Sequence, residues 1–303
     1  MTLEQLRIFV AVAEKQHMTK AALQLNLTQS ATSAAIAALE ARYDVKLFDR
    51  IGRGIALTHV GREFLNEARA VLARANSAEE TLHDLSILKH GSLSIAASQT
   101  IGNYWLPSRL HQFQKTYPGI ALNVAIANTE QVAQLVRNGT ADLGFVEGEV
   151  DDAQLTSQRI DGDSLIIVVG VKHAWVRNPA KLPEALLETR WILREPGSGT
   201  RSMFESALRG LEIDPSALDI QLELPSGEAI RTAVEISDCA TAVSDLVVAL
   251  ALSAKTLHRV PITLPKRSFH ILRHRERRGS NAERAFLAEI GAAGRPPPPP
   301  NDQ

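Results

Sequence analysis

The stretch MTKAALQLNLTQSATSAAIAALEARY, residues 18–43, decides the fold of the N-terminal part of the chain. Apolar residues recur at helical spacing on both sides of a three-residue break at 26–28, and Thr19 and Thr28 are placed to cap the two helices. The second helix opens with short polar side chains that can reach base edges in a major groove, whereas small residues let the helices cross closely. The stretch predicts a helix-turn-helix with a DNA-reading face at Thr28, Gln29, Ser30, Thr32 and Ser33, and an ordinary helical hairpin is the alternative.

The flanking residues favour the helix-turn-helix. A third helix precedes it, because Leu3, Leu6 and Phe9 recur at helical spacing. Two strand-like segments follow at 45–50 and 51–58, joined by a glycine-flanked turn that is typical of a wing. Arg50 and Arg53 are placed to contact the DNA backbone or the minor groove. We therefore predict an all-α winged helix-turn-helix domain.

Length and composition limit the number of domains and the kinds of site that the chain can hold. The 303 residues leave room for two or three domains, and 45% hydrophobic and 22% charged residues are typical of a globular protein. The net charge is −1, and eight basic against six acidic residues in the first 66 give only a weak basic signal. The single cysteine, Cys239, excludes an internal disulfide, and neither it nor the histidines have the spacing of metal ligands, so we expect no metal and no cofactor.

The sequence has no recognisable targeting signal. The N-terminus lacks a basic start followed by a short apolar core, and no apolar run reaches membrane-spanning length. A cytoplasmic location without a membrane partner is expected.

Residues 60–89 predict one long helix. Its apolar positions step by four and three residues for three heptads, a spacing that favours a dimer seam. The alternative is a helix packed on its own domain. A homodimer or a homotetramer is expected, with the seam at Phe64, Ala68, Val71, Ala75, Ala78, Leu82 and Leu85.

Strands alternate with helices from residue 91 onward, which predicts an α/β domain with a parallel sheet. Strands are predicted at 92–97, 121–127, 143–146, 165–171, 191–193, 221–224, 240–243, 260–262 and 268–272, and helices at 101–117, 129–138, 202–211, 227–236 and 245–251. The last of these strands is expected to finish the folded chain, and the prolines at 296–300 predict a disordered end. The stretch 266–284 holds seven basic and two acidic residues, and a solvated basic face is favoured over a DNA or anion contact.

The N-terminal motifs resemble those of LysR-type transcriptional regulators. They are LEQLRIF (3–9), AALQL (21–25), TQSATS (28–33), LE (39–40) and the pattern LFDR…LT…G (47–61). The chain departs at Ala34 and Ala35, where the family often has Arg or Lys with Gln. This departure supports the alternative of a stand-alone small-molecule-binding protein without specific DNA binding.

The resemblance implies a linker helix and a two-lobed effector domain similar to periplasmic solute-binding proteins. The domains implied are a winged helix-turn-helix at 1–59, a linker helix at 60–90, one Rossmann-like subdomain at 91–163 and 267–292, a second at 164–266, and a tail at 293–303. Promoter DNA and a small-molecule effector are then the partners, with RNA polymerase as a further candidate. No enzymatic activity is expected, because no base or nucleophile stands out.

Three strand-to-helix loops are expected to converge between the subdomains, at 97–102, 128–129 and 197–201. Each offers hydroxyls and free N–H groups at a helix N-terminus, which suits an anion; a simple helix cap is the alternative for any one of them. Glu147 can accept a hydrogen bond from a ligand amine or pair with Arg201. The predicted effector site is Ser98, Thr100, Ile101, Thr129, Glu147, Ser198, Thr200 and Arg201.

Longer matches resemble the sulfur-metabolism (CysB/CysL-like) branch of the family. They are ASQTIGNYWLP (97–107), PGI (118–120), NT (128–129), DLGFVEG (142–148) and EPGSGTR (195–201). This resemblance implies a sulfite- or sulfate-like effector, or a small carboxylate, with a larger organic effector as the alternative. The stretch 236–241 departs from a glycine-rich family pattern, and Asp238 would repel an anion if it pointed into the cleft.

Overall fold

The structure is a computed structural model that describes residues 1–51, 54–83, 91–178 and 183–291. The chain divides into two compact units. The first comprises residues 1–87 with 138–140, and the second comprises 88–137 with 141–303.

The first unit is a three-helix core followed by a two-stranded hairpin and a long helix. Thr28 caps α3 as predicted, since its hydroxyl accepts a hydrogen bond from Ala31 N at 3.2 Å. The cap predicted at Thr19 is wrong, because α2 already begins at Met18 and has no side-chain cap. The elements are α1 (Leu3–Lys15), α2 (Met18–Gln24), α3 (Gln29–Tyr43), β1 (Phe48–Ile51), β2 (Gly54–Leu57) and α4 (His59–His83).

The first half of α4 belongs to the core of this unit. Ala68 is fully buried, and the Phe64 ring lies 4.9 Å from that of Phe9 on α1. Phe64 and Ala68 are therefore core residues rather than seam residues. The start of α4 thus packs into the DNA-binding domain, which was expected to end at residue 59. Val71 is 41% exposed and stays available for a seam. The side chain of Leu82 and all of Leu85 lie outside the described residues.

The second unit is an α/β domain built on one nine-stranded sheet with the order β4-β3-β5-β11-β6-β9-β7-β8, in which β10 also pairs with β6. A π-helical turn, Ile101–Trp105, follows the first strand. The strands are β3 (Gly91–Ser98), β4 (Ile120–Ala127), β5 (Leu143–Glu147), β6 (Leu155–Gly170), β7 (Arg190–Arg194), β8 (Asp219–Leu224), β9 (Ala240–Ser244), β10 (Leu257–Arg259) and β11 (Lys266–His274). The helices are α5 (Leu106–Thr116), α6 (Thr129–Arg137), α7 (Gly199–Gly210), α8 (Gly227–Ile236), α9 (Asp245–Ser253) and α10 (Asn281–Glu289).

The sheet forms two lobes joined by β6 and β11. Strands β3, β4 and β5 run parallel in lobe I, whereas β7 runs parallel to β8 and β9 in lobe II. Strands β6 and β11 pair antiparallel from Lys266–Ser164 to His274–Leu155, with a bulge between Ser268 and Phe269. At this register shift, a Cβ on Gly162 would lie 1.8 Å from the carbonyl oxygen of Arg267, so only glycine fits at this crossing.

Two sequence-based expectations fail near the C-terminal end. Strand β11 does not finish the folded chain, because α10 follows and buries Phe286 in the core of lobe I. The stretch 266–284 is not simply a solvated face, since Arg273 pairs with Glu283 at 2.6 Å and Arg277 with Asp142 at 2.5 Å. Glu283 lies on α10 and Asp142 lies just before β5, so a count of charges along the stretch could not reveal either pair.

Candidate functional site

The N-terminal turn of α3 presents a polar face to solvent. Gln29 and Ser30 are exposed, and Ser33 is half-buried. The Ser30 hydroxyl lies 3.0 Å from the Thr28 hydroxyl, and Gln29 Nε2 donates to Ser33 Oγ at 3.4 Å. Short polar side chains at the start of an exposed helix are those that read base edges in helix-turn-helix complexes.

Thr32 does not belong to this face. It is fully buried, and its hydroxyl donates to the carbonyl oxygen of Thr28 at 3.1 Å. The expectation that it faces a DNA groove is therefore wrong. Its spacing of four residues from the buried Ile36 was the available signal, because residues at i and i+4 share a helix face.

Glu40 links α3 to the hairpin. Its carboxyl group is almost buried and accepts hydrogen bonds from Leu47 N at 2.8 Å, Phe48 N at 3.3 Å and Lys46 Nζ at 3.0 Å. Burial alone would raise its pKa, but these hydrogen bonds and the Lys46 charge hold the pKa of Glu40 below its ordinary value. The carboxylate thereby fixes where the hairpin starts relative to the exposed face of α3.

A groove of about 780 Å³ lies between α3 and the hairpin, lined by residues that include Gln29, Ser33, Lys46 and Gly54. Arg50 lies in β1, although its side chain is outside the described part of the structure, as is all of Arg53. The groove nevertheless joins the polar helix face to the hairpin in one concave surface.

In the second unit, strand ends bring most of the predicted effector residues together. Ser98 ends β3, Thr129 follows β4, and Glu147 ends β5. These three strands are parallel neighbours, so their carboxyl ends meet at one edge of the sheet. Thr100 follows β3 and is 3% exposed. Ile101 differs, because its side chain is fully buried in the core of lobe I.

The cation of this cleft is Arg267, which sequence reasoning missed. Its guanidinium group is fully buried and pairs with Asp163 through Nε and through Nη2, the latter at 2.7 Å. Nη1 donates to Thr200 Oγ1 at 2.9 Å, and Nη2 donates to Thr100 Oγ1 at 3.4 Å. Burial would lower the pKa of Arg267, but Asp163, Glu147 and Asp245 raise it, so the group is charged. One guanidinium thus joins hydroxyls from both lobes.

Further hydrogen bonds cross the cleft directly. Gly199 N, at the start of α7, donates to Thr129 Oγ1 at 3.1 Å, and Glu130 N donates to Gly197 O at 3.2 Å. The side-chain amide of Gln99 donates to Pro225 O and accepts from Gly227 N. The lobes are therefore in contact, and the N-terminus of α6 is partly occupied by these bonds.

Arg201 is not part of the cleft cluster. Its guanidinium pairs with Glu205 at 2.8 Å and with Glu223, and it also donates to the carbonyl oxygen of Arg194. The predicted Arg201–Glu147 pair and the counter-charge expected from Arg201 are thus wrong. Asp238 pairs with Arg190 and is more than half exposed, so it is held at the surface.

Two buried polar atoms of the cleft lack a partner. Within the described part of the chain, no group bonds to Ser98 Oγ or to Glu147 Oε1, although both residues are at most 3% exposed. Ser198 is also buried, and its side chain makes no cap bond at the start of α7. Buried polar atoms without partners are costly, so Ser98 Oγ and Glu147 Oε1 are candidate ligand contacts.

A winged helix-turn-helix unit and a two-lobed α/β unit with a polar cleft are the architecture of a DNA-binding regulator with an effector-binding domain. The chain belongs to the LysR family of transcriptional regulators rather than to a class of enzymes. Residues 3–62 match the bacterial regulatory helix-turn-helix protein of the lysR family, and residues 87–295 match the LysR substrate binding domain.

Relatives extend over nearly the whole chain. An uncharacterized HTH-type transcriptional regulator, YeiE of Escherichia coli (strain K12), is 34% identical over 288 residues, covering 94% of this chain and 96% of the relative. A probable RuBisCO transcriptional regulator of Trichormus variabilis is 33% identical over 294 residues, covering 95% of this chain and 87% of the relative.

Solved structures share the fold. Full-length CbnR complexed with its target DNA has a TM-score of 0.70 at 21% identity, covering 97% of this chain and 100% of that one. A full-length OxyR variant from Pseudomonas aeruginosa has a TM-score of 0.68 at 21% identity, covering 97% of this chain and 94% of that one. None of the helices in the described residues is long and apolar enough to cross a membrane.

Proposed function

We propose that this chain is a cytoplasmic homo-oligomeric regulator that controls transcription when a small anion binds between its lobes. The anion is sulfite- or sulfate-like, or a small carboxylate, as the resemblance to the sulfur-metabolism branch implies. The observation that carries this proposal is the buried Arg267 guanidinium, which contacts Thr100 of lobe I and Thr200 of lobe II.

The geometry suits a small oxyanion. Within the described part of the chain, four hydrogen bonds use four of the five N–H donors of Arg267, which leaves one donor for a ligand. The Ser98 hydroxyl has no partner among the described residues and can donate as well. Because both lobes contribute, the anion binds the closed domain better and shifts a lobe-closure equilibrium toward it.

Replacing Thr100 by valine tests the anion site. The change keeps the shape and removes one hydroxyl, whose hydrogen bond to a charged partner is worth about 1.5–3 kcal/mol, so the affinity for sulfite or sulfate should fall about ten- to a hundredfold. Isothermal titration calorimetry measures this loss. Thr232→Val, at an exposed position of α8, is the matched control and should bind as the wild type does. Equal affinities in Thr100→Val and wild type would favour a larger organic effector instead.

For the DNA-binding unit we propose that α3 enters the major groove of promoter DNA while the wing contacts the backbone or the minor groove. Gln29, Ser30 and Ser33 are the exposed candidates for base contacts, with Arg50 and Arg53 on the wing. A dimer seam along α4 remains a proposal for exposed positions such as Val71. RNA polymerase is a further candidate partner of the bound regulator.

Two substitutions separate base reading from backbone contact. Arg53→Ala should weaken binding to all DNA sequences and reduce the slope of log affinity against log salt by about 0.9, the share of one phosphate contact. Gln29→Ala should instead cost about 1–3 kcal/mol on the promoter sequence and leave the salt slope unchanged. Fluorescence anisotropy with promoter DNA and unrelated DNA at several salt concentrations measures both. An unchanged salt slope in Arg53→Ala would contradict the wing contact.

A further inference from the structure

A cavity of about 590 Å³ opens beside Glu147, between the end of β5 and the start of α7. Its lining is strongly acidic, because it holds five carboxyl groups and one guanidinium, and that guanidinium, Arg137, pairs with Asp152 at 2.9 Å. The acidic lining residues are Glu130, Glu147, Glu149, Asp151 and Asp152.

Glu147 is the buried member of this set. It is 3% exposed, and its Oε2 atom lies 3.4 Å from the Thr129 hydroxyl. The other oxygen, Oε1, has no hydrogen-bond partner among the residues that the structure describes. A carboxyl oxygen buried in this way is costly unless a donor reaches it. Because Glu147 lines the cavity, a ligand that brings a hydrogen-bond donor to this carboxyl group would bind favourably.

We propose that this cavity takes the ammonium group of the effector, which is therefore a small zwitterion bearing an anionic group and an amine. The inference rests on the proposed anion site. The charges around Arg267 support it, because its guanidinium pairs with Asp163 and the carboxylates of Glu147 and Asp245 also raise its pKa. An anion alone would add a further negative charge to these surroundings, whereas a zwitterion adds none.

The two subsites are close enough for one small molecule. A Cβ on Gly199 would lie 3.3 Å from Glu147 Oε2, and Thr200, which bonds to Arg267, is the next residue. Consecutive Cα atoms lie about 3.8 Å apart, so the two subsites flank neighbouring residues at the start of α7 and suit the two ends of a short molecule. Met203 and Ala133 also line the cavity and can cover such a chain.

An organic ammonium fits better than a metal ion. No group of three or more His, Cys, Asp or Glu side chains among the described residues is arranged to hold a metal. The acidic groups therefore surround the cavity without converging on one point. An ammonium group needs only one close carboxylate and tolerates apolar walls beside its carbon chain.

Matched probes test the inference by calorimetry on the full-length protein. Each pair differs only in an ammonium or a hydroxyl group: 2-aminoethanesulfonate against 2-hydroxyethanesulfonate, and glycine against glycolate. The wild type should bind at least one ammonium member tenfold or more tightly than its hydroxyl partner. Glu147→Gln, which keeps the shape and removes the charge, should reduce that preference to less than threefold. Glu276→Gln, an exposed change outside the cavity, should retain it.

Other outcomes separate this inference from the anion site. Sulfite or the hydroxyl compounds binding without any gain from an ammonium group would overturn the zwitterion and leave the anion site standing. Ethylammonium binding in a Glu147-dependent manner, with no anion binding at all, would overturn the anion site and with it the zwitterion, and would leave only the ammonium subsite. Binding of none of these probes counts against both. A preference retained in Glu147→Gln, with an unchanged melting temperature showing that the variant is folded, would also overturn the inference.

Discussion

Arg267→Met is expected to destabilise the two-lobed unit by about 3–5 kcal/mol, because it leaves a buried carboxyl group without its cation. The Asp163 carboxyl group is 1% exposed and receives two hydrogen bonds from Arg267. For a domain of this size the loss corresponds to a melting temperature lower by about 6–20 °C. The variant should also fail to bind sulfite or sulfate, since the cation of the proposed anion site is gone.

A second substitution distinguishes the two effects. Arg267→Met with Asp163→Asn removes both charges, so most of the stability should return while anion binding stays absent. Arg278→Met, an exposed change in the same basic stretch, should alter neither quantity. Calorimetric melting and titration of the full chain measure both properties. A single Arg267→Met variant that melts with the wild type, or that binds sulfite equally well, would show that this guanidinium has neither role.

The second large effect is expected for Glu40→Ala. This change leaves the backbone N–H groups of Leu47 and Phe48 without the acceptor they have in the folded domain, at a cost of about 1–3 kcal/mol for a buried donor. The hairpin then loses its fixed position beside α3, so affinity for promoter DNA should fall by about tenfold or more. Glu63→Ala, an exposed change on α4, is the matched control.

Hydrogen exchange and DNA binding together test the role of Glu40. Amides of residues 45–57 should exchange faster in Glu40→Ala, and fluorescence anisotropy should show the weaker DNA affinity. Because the folded-state pKa of Glu40 lies below its ordinary value of 4.5, its stabilisation is complete above that value and is lost as the pH falls through the lowered pKa. Faster exchange without a change in DNA affinity would mean that the hairpin does not contribute to binding.

Local patterns in the sequence predicted the architecture and most of the cleft. The helix-turn-helix follows from apolar spacing and caps within a short stretch. Ser98, Thr100, Thr129 and Glu147 could be placed together because each stands at the end of a strand or just after one, and parallel strands end at one edge of a sheet. These relations involve only neighbouring residues and a general rule of α/β topology.

The partners of arginine side chains were not predictable in this way. Arg201 stands in the predicted loop, yet Glu205 one helical turn later and Glu223 on β8 hold it away from the cleft. Arg267 stands in a basic stretch that looks solvated, and its burial depends on Asp163, which is 104 residues away. The predicted subdomain boundaries at 163 and 267 did hint at the Asp163–Arg267 pair, because they place both residues where the chain passes between lobes.

The crossing of β6 and β11 at Gly162 joins the two lobes, so substitutions at this crossing would disturb the connection between them. Substitutions elsewhere in the effector domain need not do so. The main chains touch there, and Asp163 and Arg267 are fixed directly beside the contact. Ser98, Thr129 and Glu147, by contrast, lie at strand ends, where an exchanged side chain leaves the sheet register intact. We therefore expect substitutions at the strand ends to change which ligand is preferred. The crossing of β6 and β11 at Gly162 should keep the connection between the lobes unchanged.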